Sequence, residues 1–187
     1  PQLLEQARLV GLETVDLVTR HRPKLVAGVR RPAQLTGADK LGAGRLQATE
    51  GLDGRLPPGD LKLRGDGRLV LITVHRRESW ADGASEGPLP IDEIFGAISS
   101  AAREHANVDF VYPVHRNPRV REPAGKAFRG IENIHVVDPL PYIPFVSLMA
   151  RATVIVTDSG GIQEEAPSLG VPVLVVRETT ERPEGLD

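Results

Sequence analysis

Cysteine is absent from the sequence, which excludes disulfide bonds and thiolate metal ligands. The absence is compatible with a reducing compartment, and we expect a cytoplasmic protein. The net charge of −2 provides no general basic field, which argues against nucleic acid or an anionic membrane as a partner. No apolar run approaches the roughly 18 residues of a membrane-spanning helix, and no signal peptide is visible.

Motifs for common cofactors are missing as well. No G-x-G-x-x-G or G-x-x-x-x-G-K-[ST] pattern occurs in the strand–helix unit at residues 154–170, which counts against dinucleotide and P-loop sites. No group of histidines and acidic residues has the spacing of metal ligands, so we expect no metal site.

The remaining composition is typical of a globular domain. Hydrophobic residues make up 40% of the 187 residues and charged residues 26%, which is enough to bury a core. Five apolar, β-rich stretches alternate with helical patterns, and they are Leu69–Val74, Val108–Val114, Ile134–Val137, Val154–Val156 and Val173–Val176. This alternation predicts an α/β fold with a Rossmann-like parallel sheet and helices on both faces.

The first part of the chain has a weaker pattern. Residues 3–20 read as an amphipathic helix, whereas residues 23–68 contain recurring glycines and prolines and predict loop with at most one short helix. We therefore predict a domain over 69–187, preceded by an irregular segment, 1–68, that is a linker or a degenerate remnant of another domain. Because the sequence begins with proline rather than methionine, we expect a piece of a longer protein.

Polar and charged residues follow four of the five predicted strands. They are residues 75–78, 115–117, 158–161 and 177–182. Ligands of such folds bind at the carboxyl ends of the strands. We therefore expect these residues to converge on one edge of the sheet.

The turn formed by Ser159, Gly160 and Gly161 is the first candidate site. At the start of a predicted helix, its backbone N–H groups and hydroxyl could bind a phosphate. An ordinary tight turn, in which the glycines permit unusual dihedral angles, explains the same residues. Glu165, on the following helix, could accept hydrogen bonds from a ribose diol, or could be a carboxylate favoured by the helix dipole.

Side chains near the other strands also have two interpretations. His75 could donate to a diphosphate and protonate a leaving group, or could be a surface histidine. Arg76, Arg77 and Arg182 could neutralise phosphate charge, or could pair with neighbouring glutamates. Phe145 could stack on a uracil ring, but an aromatic among apolar helix positions is more often part of the core.

Four motifs occur in order along the second part of the chain. They are His75–Trp80, Pro113–Pro118, Asp158–Gly170 and Thr179–Glu184. Together they closely resemble the carboxyl-terminal domain of non-hydrolysing UDP-N-acetylglucosamine 2-epimerases. The resemblance runs from about Leu69 to Asp187, and the longest of the motifs is highly specific.

The resemblance implies the carboxyl-terminal half of a GT-B fold, which contains two Rossmann-like domains. Family members interconvert UDP-N-acetylglucosamine and UDP-N-acetylmannosamine, and no redox cofactor is expected. The implied reaction is anti-elimination of UDP to give 2-acetamidoglucal, then re-addition of UDP after the C2 proton returns on the other face. UDP-N-acetylglucosamine and UDP are the implied ligands, and the full-length family implies a homodimer.

The same resemblance implies a role for each candidate residue. His75 would contact the diphosphate and assist UDP departure, which makes it the candidate catalytic residue. The other implied contacts are Ser159, Gly160 and Gly161 to phosphate, Glu165 to the ribose hydroxyls, Phe145 to uracil and Arg182 to the diphosphate. His115 resembles a histidine that is linked in some members to a second, regulatory UDP-N-acetylglucosamine.

The sequence departs from the family pattern in two places. Leu140 stands where a glutamine near the base is common. The acidic residues that transfer the C2 proton belong to the family's amino-terminal domain, and residues 1–68 contain no stretch that matches them. We therefore expect weak UDP binding with little turnover. A GT-B glycosyltransferase domain that binds a UDP-sugar, and a non-catalytic nucleotide-binding remnant, remain as alternatives.

Overall fold

The computed structural model describes residues 29–30, 63, 68–80 and 90–176. The helix predicted over residues 3–20, most of the segment 23–68, and Arg182 lie outside these residues. The described strands are β1 (Val29–Arg30), β2 (Leu69–Thr73), β3 (Asp109–Pro113), β4 (Ile134–Val137), β5 (Val154–Thr157) and β6 (Val173–Val175). The described helices are α1 (Arg77–Trp80), α2 (Pro90–Glu104), α3 (Pro118–Ala127), α4 (Tyr142–Arg151) and α5 (Gly160–Ser168). None of these helices combines the length and apolar character needed to cross a membrane.

The strands form one sheet in the order β1-β6-β5-β2-β3-β4. Strands β2 to β6 pair with one another only in parallel, which confirms the predicted five-stranded parallel sheet. The sixth strand, β1, was not predicted. It pairs antiparallel with β6, with Val29 opposite Leu174, inside the segment expected to be loop. Two residues are too few to show the alternating pattern of a strand, so this strand is recognised by its pairing with β6 and not by its own sequence.

Two apolar layers cover the sheet. One layer contains Phe110 and Tyr112 of β3 together with the buried faces of α2 and α3. The other contains Val111 of β3 with residues of α4 and α5. Side chains of a strand alternate between faces, so neighbouring residues of β3 enter different layers. The helices therefore lie on both faces of the sheet, as predicted.

The strands are buried on both sides, and this fixes their ends. All five residues of β2 and all four of β5 are buried. Burying a large aliphatic side chain contributes about 1.5–3 kcal/mol relative to leaving it exposed. Leu71, Ile72 and Ile155 are each 0% exposed. The positions where β2 and β5 emerge at the carboxyl edge are therefore set by the core.

The strand order reverses between β2 and β5. From β2 the chain adds β3 and then β4 on one side, and it then continues on the other side of β2 with β5 and β6. In parallel α/β sheets, ligands bind at such a switch point, outside the carboxyl ends of the two strands. Here the register places Thr73 opposite Thr157 at that edge. The loops after these two residues border the crevice.

Candidate functional site

The turn after β5 presents hydrogen-bond donors that the helix does not use. Ser159 is the N-cap of α5 with extended backbone (φ −86, ψ 128), and its side chain makes no capping hydrogen bond. Its amide donates to Thr157 Oγ1 at 2.9 Å. The first amides of the helix, at Gly160 and Gly161, have no carbonyl acceptor within the helix. The turn therefore offers a hydroxyl and backbone N–H groups to an anion.

The two glycines of this turn are not required by the fold around them. Among the described residues, positive φ occurs only at Gly130 and Gly170. A Cβ on Gly160 would meet nothing within 4 Å, and one on Gly161 would lie 3.9 Å from Glu165 Oε1 and 4.0 Å from Ser159 Oγ. The interpretation in which the glycines permit unusual dihedral angles is therefore wrong. The missing Cβ of Gly161 leaves space between the Ser159 hydroxyl and the Glu165 carboxylate.

Glu165 lies next to the first turn of α4. Its side chain is exposed, and Tyr142 Oη donates to Glu165 Oε2 at 3.4 Å, which is long for a hydrogen bond between oxygens. Phe145, one turn further along α4, is half-buried and packs against the core layer on this face of the sheet. Phe145 therefore belongs partly to the core, which was the second interpretation of this aromatic residue.

His75 and His115 lie together at the carboxyl edge. The first follows β2 and the second follows β3, both are exposed, and their rings stack at 5.8 Å between centroids with an interplanar angle of 7°. The amide of Asn117 donates to His115 Nδ1 at 3.1 Å. Because Nδ1 accepts this bond, the neutral ring of His115 has its proton on Nε2. Asn117 also caps α3 by accepting from the Arg119 amide at 3.0 Å.

Asp158 connects the two loops that border the crevice. It is 0% exposed, and its Oδ2 accepts from the amides of His75 and Arg76 at 3.0 and 2.8 Å and from Ser79 Oγ at 3.1 Å. These bonds also explain α1, which lies in a stretch that the sequence predicts to be loop. The carboxylate, at the end of a distant strand, accepts hydrogen bonds from the two residues before α1 and from a side chain within it. No local signal reports such a partner, and the role of Asp158 was not predicted.

Tyr112 holds the end of β2 from the other side. Its hydroxyl donates to the carbonyl of Val74. Burial raises the pKa of Tyr112 above its usual range, and the charge of Asp158 raises it further. The hydroxyl therefore remains protonated and can donate at neutral pH. Alternation along β3 places Tyr112 in a core layer, but a sequence pattern does not identify the carbonyl that its hydroxyl reaches.

The structure thus brings the predicted residues together in two groups at one edge of the sheet. The first group contains His75 and His115, and the second contains Ser159, Gly160, Gly161 and Glu165. Asp158 joins the loop that contains His75 to the turn at Ser159. Arg182 lies outside the described residues.

Comparison with known proteins identifies the family. A sequence model described as UDP-N-acetylglucosamine 2-epimerase matches residues 36–187. A probable UDP-N-acetylglucosamine 2-epimerase of Ralstonia nicotianae is 58% identical over 123 residues, which are 66% of this chain and 31% of that relative. The chain therefore spans about a third of the length of this curated relative.

Solved structures agree with this match. The UDP-N-acetylglucosamine 2-epimerase of Neisseria meningitidis, bound to UDP-N-acetylglucosamine, aligns with a TM-score of 0.57 and 39% identity over 79% of this chain and 35% of that chain. A S. aureus protein in a co-structure with UDP aligns with a TM-score of 0.56 and 42% identity over 63% of this chain and 30% of that chain. The described domain has the fold of these proteins, and the chain belongs to the UDP-N-acetylglucosamine 2-epimerase family.

Proposed function

We propose that this chain is the UDP-binding part of an enzyme that interconverts UDP-N-acetylglucosamine and UDP-N-acetylmannosamine. The turn at Ser159, Gly160 and Gly161 is the observation that supports the proposal most directly. Helix α5 does not use the hydrogen-bond donors of this turn. Neither glycine has a positive φ, and a Cβ at either position would not clash with the surrounding structure. Glycines that neither the backbone conformation nor the packing requires are expected where a ligand approaches the backbone closely.

The phosphate and ribose contacts follow from the positions around this turn. In the proposed complex a phosphate oxygen accepts from the amides of Gly160 and Gly161 and from the Ser159 hydroxyl. Glu165, one turn further along α5, accepts from the ribose hydroxyls. A Cβ at Gly161 would come within 4.0 Å of both side chains, so a nucleotide here could contact both of them. The exposed first turn of α4 lies beside Glu165, and Phe145 on that helix is the proposed contact for uracil.

His75 is the proposed catalytic residue of this half of the site. It follows β2, on the other side of the crevice from the turn at Ser159, Gly160 and Gly161, here called the phosphate turn. An imidazole there can donate a hydrogen bond to the diphosphate and protonate it as UDP departs from C1 of the sugar. Arg182 is proposed to contact the same diphosphate. His115 stacks on His75, and its proposed role is in binding a second, regulatory UDP-N-acetylglucosamine.

The proposal is tested first by binding. UDP should bind the wild-type chain in a ligand-observed NMR titration, and Ser159→Ala should weaken that binding because the variant removes one donor to phosphate. Ser100→Ala, at a half-buried position on α2, is a matched control that removes a hydroxyl bonded to the Gly96 carbonyl of its own helix. A wild-type chain that binds no UDP would contradict the proposal.

Turnover is tested separately by incubation with UDP-N-acetylglucosamine in D₂O. We expect little or no reaction, because residues 1–68 lack the motifs of the acidic C2 proton-transfer residues. Deuterium at C2 together with the manno epimer would reveal the family reaction, and vigorous formation of both would contradict the expectation of low turnover. Transfer of the sugar to an acceptor would instead favour a glycosyltransferase.

Three further expectations stay predictions. The full-length protein is expected to be a homodimer, as the resemblance implies, and light scattering would measure this. It is expected to be cytoplasmic and to bind neither nucleic acid nor membranes. Cell fractionation and binding assays with DNA, RNA and anionic vesicles would test these expectations.

A further inference from the structure

We infer that Asp158 is a positioning residue, which holds His75 at a fixed distance from the phosphate turn so that both contact one diphosphate. The inference rests on the proposed function and deepens it, since it assigns a role to a residue that does not itself contact the ligand. Asp158 precedes Ser159 in the chain and is hydrogen-bonded to the amide of His75. It is therefore part of the loop after β5 and is connected to the loop after β2 by hydrogen bonds.

The contacts of Asp158 use both carboxylate oxygens. The amide of His75 lies 3.1 Å from Oδ1 and 3.0 Å from Oδ2, and Oδ2 also accepts from the Arg76 amide at 2.8 Å and from Ser79 Oγ at 3.1 Å. The donors are separated from Asp158 by 79–83 positions in the sequence. These bonds are therefore tertiary, and they hold the start of the loop after β2 against the end of β5.

The burial of Asp158 makes this connection rigid. A fully buried carboxylate is costly unless hydrogen bonds satisfy it, so losing these donors is strongly unfavourable. Hydrogen bonds from amides to a carboxylate are short and about twice as strong as neutral ones. On its other side, the loop is held by Tyr112, which donates to the Val74 carbonyl. The backbone at His75 is thus held from both β3 and β5.

Asp109 shows what a buried aspartate does elsewhere in the same sheet. It is 1% exposed, and its Oδ1 lies 2.8 Å from His135 Nε2. Asp109 begins β3, at the edge of the sheet opposite the crevice. Both aspartates are therefore buried, but Asp109 contacts a histidine ring whereas Asp158 accepts from the backbone amide of His75. Only Asp158 lies between the two loops that border the proposed diphosphate site, so Asp109 provides a matched control.

The test compares UDP with uridine, which lacks the diphosphate. In Asp158→Asn the residue keeps its size, but the amide nitrogen cannot accept hydrogen bonds from the loop. We expect about tenfold weaker UDP binding, the order expected from losing a charge-assisted hydrogen bond, and less than about twofold change for uridine. In Asp109→Asn the affinities for both ligands should equal those of the wild type. Ligand-observed NMR measures all of them, and circular dichroism verifies folding.

A double-mutant cycle with His75→Ala separates positioning from general damage. If Asp158 acts through His75, then Asp158→Asn should have little further effect on UDP binding once the imidazole is gone. Should Asp158→Asn not fold, Ser79→Ala provides the measurement, because it removes one donor and keeps the carboxylate. We expect it to weaken UDP binding by about twofold to threefold without changing uridine binding.

Each result has a definite consequence. Equal losses for UDP and uridine in Asp158→Asn, or fully additive effects in the cycle, would overturn the positioning role and leave the proposed function intact. Unchanged UDP binding in Ser79→Ala, where that variant replaces Asp158→Asn, would do the same. A wild-type chain that binds no UDP would overturn the proposed function, and the positioning role with it.

Discussion

Replacing Gly161 with alanine should affect stability and ligand binding in opposite directions. The residue lies at the start of α5 without positive φ. An added Cβ would lie 3.9 Å from Glu165 Oε1 and 4.0 Å from Ser159 Oγ, which are ordinary van der Waals distances. The folded protein can therefore accommodate the methyl group. A nucleotide that contacts both Ser159 and Glu165 would have to share this space with it.

The two effects have different magnitudes. Replacing glycine by alanine where the backbone permits it stabilises a protein by about 0.4–1 kcal/mol, because the unfolded chain loses conformational freedom. For a chain of this size the melting temperature should rise by about 1–4 °C. Displacing the phosphate from one backbone donor forfeits a hydrogen bond to a charged group, which contributes about 1.5–3 kcal/mol. UDP binding should therefore weaken by about tenfold to a hundredfold.

Thermal unfolding and UDP titration of the same samples test this prediction. Gly96→Ala is the matched control, because Gly96 is an exposed glycine inside α2 whose added Cβ would meet nothing within 4 Å. It should raise stability to a similar or greater degree and leave UDP binding unchanged. A destabilised Gly161→Ala, or one that binds UDP as well as the wild type, would refute the reasoning that this glycine makes room for a ligand.

Three further predictions concern other parts of the structure. Tyr112→Phe should lower the free energy of unfolding, measured with urea, by about 1–3 kcal/mol, because the Val74 carbonyl loses its buried donor. Burial raises the pKa of Tyr112, so the contribution of its hydroxyl to stability is present below about pH 10 and is lost as the pH rises further. Above pH 10 the variant should therefore lose less stability than the wild type. Parallel plots of unfolding free energy against pH would contradict this. Glu165→Gln should weaken binding of uridine but not of 2′,3′-dideoxyuridine, and equal losses in NMR titrations would exclude the ribose contact. Asn133→Ala should lower the free energy of unfolding by about 1–3 kcal/mol in urea, because Asn133 Nδ2 donates to the carbonyls of Ala102, His105 and Val108; an unchanged midpoint would contradict this.

The parallel strands were predictable because their burial is two-sided. A strand that is covered on both faces reads as a continuous apolar run rather than an alternating one. All five residues of β2 are buried, and the run from Leu69 to Val74 was predicted as a strand. The stretch from Val154 to Val156 satisfies the same rule and forms most of β5. In these elements the local sequence and the tertiary environment point to the same structure.

The elements that were missed depend on partners distant in sequence. Strand β1 exists through its pairing with β6, and no periodicity can appear in Val29–Arg30. Helix α1 lies in a polar stretch, and the carboxylate of Asp158, about 80 positions later, accepts from the Arg76 amide just before the helix and from the Ser79 hydroxyl within it. Neither element has a local signal that outweighs its loop-like composition, because the stabilising contact is supplied by another part of the chain.

The candidate site was predictable in part for a topological reason. Polar residues after parallel strands must meet at one edge, so His75 and His115 could be placed together before their stacking was known. Whether a polar residue faces a ligand or holds a loop depends on geometry that the sequence does not contain. Asp158 illustrates the difference. It lies directly before Ser159, yet its side chain accepts hydrogen bonds from the loop after β2 and from α1.

The strand order also supports our expectation that this chain binds UDP but catalyses little epimerisation. The candidate contacts in the described residues follow β2, β3 and β5 of one sheet, or lie on α4 and α5, which pack on one face of that sheet. The core of this sheet therefore positions these contacts. Elimination across C1 and C2 also needs a base at the sugar carbon. A leaving group is held by donors, and the groups at the phosphate turn are amides and a hydroxyl. In the proposed complex these groups would stabilise a departing UDP, but they cannot remove a proton from carbon, which is why we expect binding to persist where turnover does not.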